Sequence, residues 1–464
     1  MDSWAAIRLE QMVAPARLAA HTVLRDVETR RFDSATGLAH VRATLTDPRD
    51  RALVGEIVLG VLRWRLSLDH IIEVLSSRPP DQIEPDLIHI LRAALYQIMF
   101  LDRIPNHAVL SDAVNLTKQI GQTRASGFVN ALLRSFVERR HPVAFPIAAD
   151  TRVSDQTKHS TPLLQLNVSL SHPRWLVARW IKRHGFTAAR KWTIHNNLPA
   201  PMTVRSNRLQ QTRNELQKQL AAVGIETEPT KYSKYGLTVL GGHAKAQQLA
   251  TIGSLFIQDE AAQLIPDLFE GYDLDSILDL CAAPGGKTLG IAHNHPSALV
   301  IGGDSRENRV RLLKLTLKNS RISRAYPVQY DATRQLPFLE RFSGILVDAP
   351  CSGLGVLRRN PEIRWRCSPD TLASYANTQL QMLRQAARAL RPGGLLIYST
   401  CSSEPEENEI TIKNFLTEHQ TFEIVRPQSP HLDEMIDRNG FFRTLPFQHK
   451  LDAFFAALLK SRDL

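Results

Sequence analysis

Between residues 15 and 140 the apolar residues recur at helical spacing in five runs: ARLAAHTVLRDV, DRALVGEIVLGVLRWRLSLDHIIEVL, LIHILRAALYQIMFL, AVLSDAVNLTKQI and GFVNALLRSFVERR. The pattern predicts an all-helical domain of five or more packed helices. Breaks at Asp47-Pro48, Arg78-Pro79-Pro80 and Ile104-Pro105 separate them, because proline lacks an amide donor and disfavours helix at the residue before it. The stretch 141–162 is polar, interrupted by prolines and nearly free of periodicity, which reads as a linker. From 163 to about 250 the signals are mixed, with helical PRWLVARWIKRHG and RNELQKQLAAVG followed by short strand-like runs such as TVL. After Ser254 short apolar strands alternate with helices: SILDLCAAPGGKTLGIA, ALVIGGDSRENRVRLLKLTLKN, AYPVQYDAT, GILVDAPCSG, TLASYANTQLQMLRQAARALRPGG and LLIYSTCS. Strand-then-helix repetition predicts a parallel, doubly wound sheet. The predicted organisation is a helical domain 1–145, a linker 146–162, a small α/β middle domain 163–250 and a C-terminal α/β domain 251–464.

Composition narrows the class without fixing it. Over 464 residues, 43% apolar and 22% charged residues exclude disorder across most of the chain. Lys and Arg number 57 against 46 Asp and Glu, a net charge of +11 that favours an anionic partner such as nucleic acid. The four cysteines, Cys281, Cys351, Cys367 and Cys401, include no C-x-x-C pair, which argues against a disulfide framework and a thiolate metal site and for a reducing cytoplasm. The opening MDSWAAIRLEQMVAPARLAA is broken by acids and arginines where a signal peptide needs an apolar stretch, and nowhere do about 18 apolar residues run together. Neither secretion nor membrane spanning is expected.

In a doubly wound sheet ligands bind beyond the C-terminal strand ends, so the residues after each apolar strand carry the chemistry. The first strand runs into Asp279-Leu280-Cys281-Ala282-Ala283-Pro284-Gly285-Gly286-Lys287-Thr288, where glycines and small residues let the backbone approach a nucleotide-like ligand. The second ends in Asp304 and the third in Asp331, acids placed to accept from ribose hydroxyls or, singly, to cap helices. The fourth ends in Asp348-Ala349-Pro350-Cys351-Ser352-Gly353 and the fifth in Ser399-Thr400-Cys401-Ser402, so two of the four cysteines flank one crevice. A helix start read in Ser402-Ser403-Glu404-Pro405-Glu406 would lend positive dipole to a Cys401 thiolate.

The runs DLCAAPGGKT, DAPCSGLGVLRRNPEIRW and STCS together resemble the Sun (Fmu) branch of the RNA cytosine-5 methyltransferases. Upstream, FIQDEAAQL is similar to the segment entering that family's catalytic domain, and IPNHAVLSDAVNLTKQIGQTRASGFVNALLR resembles the NusB-like RNA-binding domain of the bacterial branch acting on small-subunit (16S) ribosomal RNA. The resemblance implies a multidomain chain: an all-α NusB-like domain, a small α/β middle domain and a class I (Rossmann-like) methyltransferase domain. It implies S-adenosylmethionine as cofactor, with Cys281, Ala282, Ala283, Pro284, Gly285, Gly286 and Lys287 around its methionine and sugar, Asp304 at its ribose, Asp331 at its adenine and Asp348 between cofactor and base. Chemistry alone leaves the order of the two thiols open, since DNA cytosine-5 methyltransferases use a Pro-Cys nucleophile like Pro350-Cys351. The resemblance assigns the nucleophile to Cys401 and product release to Cys351. It also implies a cytoplasmic monomer acting on 16S ribosomal RNA, with no metal and no membrane. A transfer-RNA enzyme sharing the catalytic domain and a non-catalytic RNA-binding or antitermination factor are the alternatives.

Other positions carry expectations of their own. Arg358, Arg359, Arg364 and Arg366 flank the element after Cys351 as candidate phosphate contacts, with Arg364 where the family usually has Lys. Cys367 is expected to be structural, Glu260 to disturb local packing where the family has a small residue, and Trp175 and Trp180 to pack in a core or interface. Asn207 in VRSN matches a family position whose role the residues do not reveal.

Overall fold

The computed structural model describes residues 13–138 and 162–462, so the expected linker 146–162 lies outside the described residues except for Pro162. The chain divides into two compact units, Met1–Leu198 with Leu357–Arg366, and Pro199–Val356 with Cys367–Leu464.

The first unit is helical: α1 (Pro15–Glu28), α2 (Ser34–Thr44), α3 (Pro48–Ser76), α4 (Pro85–Phe100), α5 (Asn106–Gln119), α6 (Ser126–Glu138) and α7 (Arg174–Asn197). The predicted breaks fall between helices: Pro48 opens α3, Pro79 and Pro80 lie between α3 and α4, and Pro105 immediately precedes α5. Pro48 and Pro85 occupy first turns, where their missing amides cost nothing, and Asp47 and Glu84 cap those helices through the amides of Arg49 and of Asp86 and Leu87. Val54, Ile57, Val58, Leu68, Ile71 and Ile72 on α3 join Leu91 and Leu95 on α4 and Val129 and Leu133 on α6 in one core. Each such side chain contributes about 1.5–3 kcal/mol by leaving water. Trp180 is buried as expected, stacked on Trp192 at 4.7 Å, while Trp175 is half-buried.

The second unit holds two sheets. The smaller is built from β1 (Met202–Ser206), α8 (Arg213–Ala222), β2 (Thr227–Pro229), β3 (Gly236–Val239), α9 (His243–Thr251) and β4 (Leu255–Ile257). Its strands are all antiparallel in the order β2-β3-β1-β4, a βαββαβ ferredoxin-like arrangement over a core of Val204, Leu216, Leu220, Leu237 and Leu255.

The larger sheet follows the short helix α10 (Glu260–Leu264) and comprises β5 (Ser276–Asp279), α11 (Gly286–Asn294), β6 (Leu299–Asp304), α12 (Glu307–Asn319), β7 (Ala325–Gln329) and β8 (Phe342–Asp348). After α13 (Ile363–Arg366), which belongs to the helical unit, come α14 (Pro369–Ala389), β9 (Leu390–Thr400), α15 (Glu409–Glu418), β10 (Phe422–Ile424), β11 (Phe442–Thr444) and β12 (Phe454–Ser461). The strand order is β10-β12-β9-β8-β5-β6-β7, with β11 paired to β12. Side chains alternate between two cores: Ile277, Leu346, Ile397 and Leu458 face one, and Leu278, Ile345, Val347, Leu396, Tyr398 and Leu459 the other. Strands β5 to β9 are parallel as predicted, but β12 runs antiparallel to β9 and β10 antiparallel to β12, making the sheet mixed. No crossover helix of the length a parallel return uses connects β10 to β12. Strand order reverses between β5 and β8, and the ends of those two strands open the crevice.

Candidate active site

The glycine turn at the end of β5 is shaped for close backbone approach. Gly285 has φ +110°, and a Cβ there would also lie 2.9 Å from Leu313. At the end of β6 a Cβ on Gly303 would strike the Tyr330 ring at 2.1 Å. Arg309 joins these two strand ends, bonding Asp304 through Nε at 2.8 Å and the Ala283 carbonyl through its guanidinium at 2.5 Å. Asp304 also accepts from the Arg306 amide at 3.2 Å. Asp279, fully buried, accepts from Thr288 Oγ1 at 2.7 Å through one oxygen, while the other has no hydrogen-bond partner. Burial, reinforced by Asp348, pushes its pKa up to about 7. Cys281 sits among Asp279, Asp348 and Asp304, and burial followed by those charges pushes its thiol up. A close-approach turn beside an unsatisfied buried carboxyl oxygen and the Asp304 carboxylate fits a cofactor with an amino acid and a ribose. Asp331 lies one strand further out and is exposed, its carboxylate accepting from the Thr333 amide at 2.9 Å and hydroxyl at 2.6 Å.

The ends of β8 and β9 bring the two predicted thiols together, Cys351 Sγ lying 3.2 Å from Cys401 Sγ. Asp348 is held on both oxygens, by Ser399 Oγ at 2.7 Å and by Lys287 Nζ at 2.7 Å. The Lys287 ammonium thereby connects the glycine turn to β8, and it lies close enough to Cys401 for their charges to interact. The helix dipole expected behind Cys401 is absent from its predicted place. Residues 402–404 are irregular, Pro405–Glu407 is 3₁₀, and α15 begins only at Glu409, so the positive charge near that sulfur comes from Lys287.

The four arginines after Cys351 do not form a solvated basic loop. Arg358 and Arg364 are buried and Arg359 and Arg366 half-buried. Arg364 spends its donors inside the helical unit, on the carbonyls of Ser171 (2.9 Å), Arg63, Asn196 and Leu357 and on Asn197 Oδ1 (3.1 Å). Arg366 reaches the carbonyls of Val27 and Phe32. These two hold the fold rather than phosphates. Glu260 causes no packing fault: it accepts from the amides of Tyr232 (2.5 Å) and Ser233 (3.0 Å), compensating its burial. Asn207 gains a role, donating from one amide to the carbonyls of Gly253 (3.5 Å) and Ser320 (3.1 Å) and so fastening the ferredoxin-like sheet to α12. Cys367 Sγ lies 3.6 Å from the Ser352 carbonyl. Two functional residues escape sequence reasoning. Arg205, two residues before Asn207, is buried and donates to the Gly286 carbonyl at 2.9 Å, supporting the glycine turn. Glu407 lies buried behind the thiols, its only sequence signal being an acid after Pro405. Among the described residues no cluster of His, Cys, Asp or Glu could hold a metal ion, and no helix is long and apolar enough to cross a membrane.

A seven-strand path reversing between β5 and β8, with a glycine turn, acids on successive strand ends and an antiparallel β12, defines a class I methyltransferase. Residues 268–460 match the family described as 16S rRNA methyltransferase RsmB/F, residues 14–138 the NusB family, and residues 172–244 the RsmF/B-like ferredoxin-like domain. The probable ribosomal RNA small subunit methyltransferase B of Bacillus subtilis (strain 168) is 32% identical over 464 residues, 99% of this chain and 97% of the relative. Its counterpart in Synechocystis sp. (strain ATCC 27184 / PCC 6803 / Kazusa) is 32% identical over 455 residues, 96% and 99% of the two chains. The chain belongs to the RsmB/F methyltransferase family, with a NusB-like N-terminal domain. The solved structure of PH0851 shares the fold, with TM-score 0.78 at 23% identity over 97% of this chain and 99% of that one.

Proposed function

We propose that this protein transfers a methyl group from S-adenosylmethionine to C5 of a specific cytosine in 16S ribosomal RNA, through a transient bond between Cys401 and C6 of the base. The observation that carries the reading is the contact of two thiols beside an Asp348–Lys287 ion pair at one strand-end crevice. The names of the relatives, ribosomal RNA small subunit methyltransferases, supply the substrate class.

C5 of cytosine is too poor a nucleophile to attack a methyl donor unaided, so it needs covalent activation. Cys401 thiolate adds to C6, and the C5–C6 electron pair shifts onto the ring, making C5 enamine-like. Asp348 holds the N3 and amino edge, and Lys287 fixes Asp348 for that task. S-adenosylmethionine would be held between the 281–287 turn, Asp304 and Asp331, and would supply an electrophilic methyl group whose bond to the sulfonium breaks as the bond to C5 forms, the neutral thioether being the leaving group. A base then takes the C5 proton, the C–H electron pair re-forms the C5–C6 double bond, and Cys401 departs as thiolate with Cys351 assisting. The target base must leave its stack to reach this crevice. Residues 1–145 and 163–250 grip the RNA and residues 251–464 perform the chemistry, in a monomer of the cytoplasm. Cys401→Ala will abolish methyl transfer, while Cys351→Ala will accumulate a covalent RNA adduct visible on denaturing gels; the opposite pattern overturns the assignment. Bisulfite sequencing of ribosomal and transfer RNA from a deletion strain, with and without complementation, will show one 16S methylcytosine lost and restored.

A further inference from the structure

The two thiols sit in unlike surroundings, and Glu407, which the reaction above does not use, is placed to make them so. Its carboxylate is buried and accepts from the Ser352 amide (2.7 Å), the Ser352 hydroxyl (2.5 Å), the Ser402 hydroxyl and Gln379 Nε2 (3.2 Å). Ser352 directly follows Cys351 and Ser402 directly follows Cys401, so one carboxylate is bonded to the neighbour of each cysteine. The two serine hydroxyls are themselves 3.2 Å apart. Gln379 also donates to the carbonyl of Pro350, the residue before Cys351, at 3.1 Å, and Tyr398 Oη holds the Glu407 carbonyl at 2.5 Å. The clamp therefore spans the ends of β8 and β9 and sets the 3.2 Å separation of the sulfurs.

Charge is distributed unequally across this pair. Lys287 acts on Cys401 from one side, with Asp348 beyond it. The groups acting on Cys351 are Cys401 and Glu407; Tyr398 on β9, Tyr375 on α14 and Cys367 complete its titratable surroundings. The Cys401 contact, burial and the Glu407 charge together hold the Cys351 thiol well above its ordinary value. Four donors converging on the Glu407 carboxylate favour its charged form, against the burial that pushes its own pKa up.

We propose that Glu407 is the positioning residue that distinguishes the two cysteines: it clamps their turns at thiol contact and, by its negative charge, keeps Cys351 a thiol, leaving Cys401, beside Lys287, as the nucleophile. The proposal rests on the two-cysteine reading above. Cys351 S–H then donates a hydrogen bond to the departing Cys401 sulfur, with no net proton change at the pair.

The test uses the full-length enzyme with iodoacetamide labelling from pH 6 to 10, the labelled cysteines mapped by mass spectrometry, alongside kcat and KM. In the wild type Cys401 will label before Cys351. Glu407→Gln keeps the volume and removes the charge, so Cys351 labelling at pH 8 will rise about tenfold relative to Cys401, and its half-labelling pH will fall by about one unit. With the clamp loosened, kcat will fall about 100-fold while the KM for S-adenosylmethionine stays within about twofold. Glu407→Asp, which keeps the charge, will restore the wild-type labelling order. Wild-type labelling and kcat in Glu407→Gln, or Cys351 labelling first in the wild type, overturns the proposal. Should Glu407→Gln not fold, Ser402→Ala and Ser352→Ala each remove one hydroxyl donor to Glu407 and leave the charge; both will lower kcat without changing the labelling order, and undiminished kcat in both overturns the clamp. Activity surviving in Cys401→Ala sinks the two-cysteine reading itself, whereas a dead Cys401→Ala beside a normal Glu407→Gln sinks only the role of Glu407.

Discussion

The ammonium of Lys287 serves both halves of the site. It is bonded to Asp348 at 2.7 Å, interacts with Cys401 and lies 5.5 Å from the Phe454 ring centroid. Burial opposes its charge, but Asp348, by attraction and by hydrogen bond, outweighs burial and raises its pKa. Lys287→Met keeps the apolar stem and removes the charge, so Cys401 loses its counter-ion and Asp348 its anchor. The expected outcome is a fall in kcat of about 100-fold with the KM for S-adenosylmethionine within about threefold, read from methyl transfer at pH 7.5. An unchanged kcat would dissociate Lys287 from the chemistry. In the sequence this lysine reads only as part of the glycine turn, because spacing along the chain reveals which strand end a residue occupies and not which neighbouring strand end its side chain reaches. The thiols themselves were legible for the first reason, and Glu407 was hidden for the second.

At the scale of elements, apolar periodicity read the helices and parallel strands directly, since burial of one face leaves its period in the sequence. It failed where charge is buried. Residues 357–366 carry four arginines and a glutamate and look like a solvated loop, yet Glu362 accepts from the Ser34 amide (3.1 Å) and hydroxyl (2.8 Å), Trp365 donates to the Leu62 carbonyl (2.6 Å), and the buried Arg364 gives its terminal nitrogens to carbonyl oxygens. Carbonyls satisfy an arginine without leaving any trace in a pattern of polar and apolar letters. Arg364→Met will orphan those acceptors and lower the stability of the helical unit by about 3 kcal/mol, and Arg364→Lys will not rescue it, because an ammonium cannot reproduce the planar fork. Urea unfolding followed by tryptophan fluorescence measures both. The middle ferredoxin-like sheet was the least legible part because its strands are three to five residues long, too short for alternation to stand out.

Over the whole molecule, the two units respond differently to acid. In the helical unit burial, then neighbouring cations, lowers His89 to about pKa 3, and burial with Arg364 lowers His172 well below its ordinary value. A histidine depressed in the folded state contributes fully above about 6.5, and that contribution drains as pH falls toward the folded value, because the unfolded chain takes protons first. In the other unit His293, lowered to about 3 by burial and then by Arg205 and Arg208, acts in the same direction, but Asp279, raised to about 7, acts in the opposite one. A neutral buried carboxyl stabilises most below its unfolded pKa and loses that contribution as pH climbs toward 7, so the two largely cancel between pH 5 and 7. The five tryptophans among the described residues, Trp64, Trp175, Trp180, Trp192 and Trp365, all fall in the helical unit. The fluorescence-detected melting temperature will therefore drop by several degrees from pH 7 to pH 5, at about 1.4 kcal/mol for each pKa unit crossed. His89→Gln will flatten that drop, and a melting curve indifferent to pH would contradict the burial of both histidines.

The excursion of residues 357–366 into the helical unit also bears on how such a protein is inherited and handled. A gene fragment starting at residue 199 would encode every catalytic strand and still release ten residues whose packing partners were left on the other piece. Recombination at one junction cannot exchange one unit for a foreign version without also rewriting a stretch in the middle of the other's coding sequence. The two units are thus bound to evolve as a pair, stitched by a return thread instead of merely tethered end to end.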